Sequence, residues 1–147
     1  MKSWLRSLSL AACALMVAGC QSLYPPASGA VAAPTAASLQ GTRWLLEDLA
    51  GRGVLDRLQS TLAFGEPGRV SGQGGCNLFN GAMTLEGDRL ALGPLVTTRR
   101  ACEPAVMDQE TRYLAALAGA RRLVRDGPWL LIHGGSGDPP LRFTQMR

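Results

Sequence analysis

The apolar positions of the chain change their spacing three times, and each change predicts a different kind of segment. From Leu8 to Ala18 they run on uninterrupted, preceded by Lys2 and Arg6. A positive start before an apolar stretch shorter than the roughly 20 residues that span a bilayer predicts an export signal over residues 1–19. Over residues 20–39 Ala, Pro, Ser, Gly and Thr dominate, with almost no charge and few side chains able to build a core, which predicts a flexible linker. Beyond Gln40 the apolar residues return with the period of a strand. Trp44 and Leu46 fall on one side of a pleat in residues 42–49, residues 61–64 alternate again, and residues 78–85 run into a Glu86-Gly87-Asp88 turn before Leu90 and Leu92. Three further short runs, at 122–125, 129–133 and 141–144, are separated by loop compositions at 126–128 and 134–140.

One stretch has helical spacing instead. Val106, Met107, Tyr113, Leu114 and Leu117 recur along one face, Pro104 suits a first turn and Gly119 a stop. The pattern predicts a mainly antiparallel β fold with one packed helix (α+β), its sheet curled and partly barrel-like, forming a single domain over residues 40–147. Composition agrees. In 147 residues, 46% hydrophobic against 18% charged excludes a disordered or collagen-like chain, and 18 Gly, 9 Pro and 5% aromatic residues suit short strands with many turns.

The apolar leader ends in Val17-Ala18-Gly19-Cys20, which resembles the lipobox of bacterial lipoproteins, so Cys20 is expected to carry lipid and to anchor the chain to a membrane. Gln21, rather than Asp, after that Cys points to the outer membrane, with the domain on the periplasmic face. Processing also changes the charge. Loss of Lys2 and Arg6 from 15 basic residues leaves 13 against 11 acids, a net of +2, which is no case for nucleic acid. Arg99, Arg100, Arg121, Arg122 and Arg125 read as solvated surface rather than as a basic patch.

Candidate chemistry is sparse. With one His and four Cys in the chain, neither a metal nor a cofactor is expected. Cys13 leaves with the signal and Cys20 is acylated, so Cys76 and Cys102 remain in an oxidising compartment. A disulfide between them is expected, closing a loop of about 27 residues and stabilising the fold by roughly 3.5 kcal/mol. Separate buried thiols and a reactive pair are the alternatives, the latter without a CxxC spacing to support it. The glycine-rich stretch 70–81 lacks the Lys and hydroxyl of a phosphate cradle, and reads as a turn between strands whose own backbone Asn77 can bond. Residues 134–138 fall one Gly short of a nucleophile elbow. Glu103 and Asp108 suit the positive end of the helix dipole better than an acid and base pair, so no catalytic residue is assigned.

Taken in order, Gly41-Thr42-Arg43-Trp44, Val70-Ser71-Gly72, Gly75-Cys76-Asn77 with Gly81, Thr97 through Cys102, then Met107 and Glu110 resemble the META domain of the HslJ heat-shock lipoproteins. The resemblance covers residues 40–143 and implies a partly barrel-like antiparallel sheet with one helix. It further implies a non-enzymatic envelope protein associated with heat shock and novobiocin tolerance, acting by contact with a periplasmic or outer-membrane protein. In that case Trp44, Gly72, Gly75, Asn77, Gly81 and Glu110 are structural, and Glu110→Gln is expected to matter little unless the acid is buried against an Arg. The family's fold is also similar to lipid-binding pilot lipoproteins. That likeness implies an alternative role, in which Val106, Met107 and Leu114 line a groove for an acyl chain or a hydrophobic peptide.

Overall fold

A computed structural model describes residues 33–135 and 137–147. The export signal, Cys20 and the linker as far as residue 32 lie outside the described residues. A short helix α1 (Ala36–Leu39) precedes strands β1 (Thr42–Leu49), β2 (Arg52–Gly53), β3 (Thr61–Phe64), β4 (Arg69–Gln73), β5 (Leu78–Glu86), β6 (Arg89–Leu92) and β7 (Val96–Thr97). Helix α2 (Pro104–Ala118) follows, then β8 (Arg122–Asp126), β9 (Trp129–His133) and β10 (Leu141–Gln145).

Antiparallel pairing runs β1-β3-β4-β5-β6-β8-β9-β10, and β10 pairs back to β1, so these eight strands close a barrel. Closure removes the unpaired edges that an open sheet would present. β2 and β7 are short additions to β1 and β5. The alternation read from the sequence decides which side faces in: Trp44, Leu46, Leu62, Phe79, Leu123, Leu130, Ile132 and Phe143 are buried in one interior cluster. β1 departs from strict alternation. Its register with β10 shifts between Leu46 and Asp48, so Leu46 and Leu49, three residues apart, both reach the interior. The thinnest seam lies between β6 and β8, with a single residue pair, Arg89 opposite Arg122. Backbone bonds from Leu90 N to Arg121 O (2.9 Å) and Leu123 N to Asp88 O (2.8 Å) extend it, and Asp88 offsets the facing arginines through Arg122 (2.7 Å).

The two ends of the barrel differ. At one, short turns at 65–68, 87–88 and 127–128 join the strands; at the other lie the long connections 50–60, 93–121 and 134–140, with the short loop 74–77 among them. α2 belongs to the long-loop end, where Tyr113 and Leu117 enter the interior cluster, the Tyr113 ring 5.9 Å from Phe79 in an edge-on arrangement. The turn end is closed from the N-terminal side. Pro34 and Leu39 are buried, and Gly41 N donates to Phe64 O (2.6 Å). The packed domain therefore begins before residue 40: the last residues assigned to the linker form a helical turn capped by Thr35, because Leu39 can fill the barrel mouth beside Trp44.

Candidate functional site

Pro104 at the first turn and Gly119 at the C-cap bound α2 as the sequence predicts. Its buried face is different. Gln109, Glu110, Tyr113 and Leu117 point inward, whereas Val106, Met107 and Leu114 are half-buried at the sides. The cause is the rim that α2 crosses, where loops expose backbone N–H and C=O groups that apolar side chains cannot satisfy.

Each inward polar group answers one part of that rim. The Gln109 amide accepts from Leu55 N (2.6 Å) and donates to Ser60 Oγ (3.3 Å), and Ser60 in turn donates to Gly74 O (2.7 Å). Tyr113 donates its hydroxyl to Thr61 O (3.1 Å), and burial raises its pKa well above the usual tyrosine value. Glu110 is the centre. Its Oε2 accepts from Cys76 N (2.8 Å) and Asn77 N (2.6 Å), and its Oε1 accepts from the Asn77 side-chain amide (2.7 Å).

Asn77 passes the connection on. Its Oδ1 accepts from Arg100 N (2.7 Å) and Thr98 Oγ1 (2.9 Å), while its amide also donates to Arg100 O (3.2 Å). The side chain thus bridges to the segment after β7, instead of bonding its own turn's backbone as the sequence suggests. The Cys76–Cys102 disulfide makes the same link covalently, with Cα atoms 6.0 Å apart, Cys76 buried and Cys102 exposed. Three segments distant in sequence are therefore joined here: α2 to the β4–β5 loop through the Glu110 carboxylate, and that loop to residues 98–102 through Asn77 and the disulfide.

The glycines explain how α2 comes so close. A Cβ on Gly74 would stand 2.6 Å from Glu110 Cγ, and Gly75 has φ +145°, a conformation that side chains disfavour. Gly72 and Gly81 lie on β4 and β5, where Phe79 and Leu95 occupy the space that a side chain would need. Trp44 is fully buried at the turn end, its indole N–H donating to Thr42 Oγ1 (2.8 Å). Thus Cys76, Cys102, Gly75, Asn77 and Glu110 are brought together, while Trp44 belongs to the opposite end.

Sequence reasoning missed Gln109 and Ser60 and read Tyr113 only as part of an apolar stripe. The available signal was a polar pair, Gln109-Glu110, standing one helical turn before Tyr113. Glu103 is the N-cap without a side-chain cap bond, and Asp108 pairs with Arg112 (3.0 Å) rather than with the helix end. Val106 touches the position of a Gly75 Cβ, and Leu114 packs on the core. A cavity of about 350 Å³ does open near α2, but beside its C-terminal turn, walled by Ala50, Ala116, Gly119, Arg121, Ile132 and Leu141. None of Val106, Met107 and Leu114 lines it. His133, half-buried on β9, has its pKa lowered, first by burial and then by the Arg122 charge.

The Glu110 oxygens accept from three N–H donors, two on Oε2 and one on Oε1, and the two sulfurs are bonded to each other. Among the described residues no group of three or more His, Cys, Asp or Glu is placed to hold a metal ion, and no helix is long and apolar enough to cross a membrane.

The META domain profile matches residues 37–147. The chain belongs to the META domain family. The match begins inside α1, in keeping with the burial of Leu39, and takes in the whole barrel of this META domain. Two proteins with structures solved by NMR are similar to it. One is 25% identical, with a TM-score of 0.62 over 76% of this chain and 94% of that one. The other, from Burkholderia xenovorans, is 26% identical, with a TM-score of 0.61 over 76% of this chain and 86% of its own. No significant match was found among curated proteins.

Proposed function

We propose that this META domain protein is an HslJ-like lipoprotein of the bacterial envelope, anchored through Cys20 to the outer membrane on its periplasmic face. In this reading it acts in heat shock and novobiocin tolerance by contact with another envelope protein, not by catalysing a reaction. A META domain fits a bacterial stress-related protein. The observation that carries the rest is the Cys76–Cys102 bond, in a chain whose first residues have the pattern of an export signal. Structural disulfides persist outside the reducing cytosol. Glu110 supports a contact role, because the family motif's acid is buried and engaged by backbone and amide donors.

Feeding cells labelled palmitate tests the anchor. The wild-type chain is expected to take up label and fractionate with the outer membrane, whereas Cys20→Ala remains unlabelled. An uncut, reduced chain in the cytosol would overturn the proposal. A strain lacking the protein should lose survival under heat or novobiocin and regain it with the wild-type chain. Native mass spectrometry showing a co-purified acyl chain would instead favour the lipid- or peptide-binding role.

A further inference from the structure

The outer wall formed by β1, β10, β9 and β8 carries a groove of about 440 Å³, lined by Asp48, Asp126, Trp129, Leu131, Pro140 and Arg142. Strand register creates this set. Arg142 lies opposite both Leu131 and Asp48, and Asp126 lies opposite Trp129. Since Leu130, Ile132, Leu141 and Phe143 face the interior, Trp129, Leu131 and Arg142 face out.

The Arg142 guanidinium carbon stands 4.9 Å from the Trp129 ring centroid. The protein holds a second such pair, Arg125 over Trp44 at 5.6 Å, and the contrast between them is informative. Arg125 also donates to Gly127 O (3.3 Å) and Gln145 Oε1 (3.4 Å), which ties it to the barrel end. Arg142 stacks in the same manner yet donates to no protein oxygen among the described residues. Its planar set of N–H donors is oriented by the indole and left open at the groove. The exposed Asp126 carboxylate has no hydrogen-bond partner among the described residues, and Asp48 uses Oδ1 for Gly51 N (2.6 Å), leaving Oδ2.

The polar groups are therefore of two opposed kinds, acceptor-only carboxylates and a donor-only guanidinium. An anionic ligand would face Asp48 and Asp126, and a cationic one Arg142. A hydroxyl donates and accepts, so adjacent hydroxyls on one ring satisfy both kinds without carrying charge. Leu131, Pro140 and the indole edge supply apolar surface for the C–H face of such a ring. We propose that this groove binds a neutral saccharide, its hydroxyls donating to Asp126 and Asp48 and accepting from Arg142. The inference rests on the barrel wall alone, independent of the lipid anchor.

The full chain, labelled with nitrogen-15 and held in a sugar-free detergent, can be titrated with N,N′-diacetylchitobiose and separately with maltose while the indole N–H resonances are followed. With at least one sugar the Trp129 signal is expected to shift and saturate, while that of buried Trp44 stays in place. Arg142→Gln and Asp126→Asn should each weaken binding about tenfold, with the unfolding midpoint unchanged. The proposal is overturned by the absence of a saturable shift with either sugar up to roughly 50 mM, by undiminished binding in Arg142→Gln, or by the same shift from acetate or methylammonium, which would mark a plain ionic groove.

Discussion

Glu110 shows how much one side chain can decide when it is buried where backbone ends meet. A carboxylate offers only acceptors, and the three groups around it are all donors: Cys76 N, Asn77 N and the Asn77 amide. Gln has the same shape, but in either orientation its NH₂ would face one of these donors. Glu110→Gln is therefore expected to destabilise the protein by about 2–3 kcal/mol, as buried hydrogen bonds to a charged group are lost and a donor is left unsatisfied. Urea unfolding of the variant checks this, and a midpoint equal to wild type would mean that the loop can rearrange around the amide. The sequence expectation of a near-neutral change considered only an arginine partner. Main-chain N–H groups can hold a carboxylate as well, and the identity of such donors is invisible until the chain is folded.

At the level of elements, the strands were legible because a barrel wall favours alternation: β5, β9 and β10 bury every second position, while β1 keeps that period as far as its bulge, and β3 and β8 each keep it apart from one extra buried neighbour, Thr61 and Val124. β7 and β2, two residues each, carry no period to read. The inward face of α2 was misjudged for a different reason: polar Gln109 and Glu110 face the rim because the loops there need partners, and apolar periodicity cannot report that need. α1 was overlooked since only Leu39 in it is buried. That single plug suggests a direct test. Leu39→Ala would leave a cavity at the turn end and is expected to cost about 2–4 kcal/mol, seen as a lower unfolding midpoint than for Ala37→Ser on the exposed side of the same turn. The disulfide joins elements that Asn77 also joins, so reduction should leave the barrel folded while lowering its stability by about 3.5 kcal/mol, the chain-entropy value for this loop. Unfolding curves with and without reductant measure that loss, and a Cys76→Ala/Cys102→Ser protein should show no response to reductant.

For the molecule as a whole, the two ends are built differently. Chain entry lies at the turn end, where Leu39 and Gly41 bind beside Phe64 and Trp44, while α2, its carboxylate clasp and the long loops occupy the other. If Cys20 is the anchor, the chain between it and Thr35 spans at most about 50 Å, so the barrel stays near the membrane with its turn end attached. Under the proposed function, the long-loop end, with exposed Leu55 and Val96, would be the surface turned toward other envelope proteins. A photo-reactive residue placed at Arg57 in the 50–60 loop should capture protein in cells, whereas one at Glu66 in the turn end should capture mainly lipid or nothing. Both positions are exposed, so neither substitution should perturb folding. Protein capture from Glu66 alone would reverse the assignment of the two ends, and capture from both that disappears in Cys20→Ala would show that the anchor, not the loop surface, selects the partner.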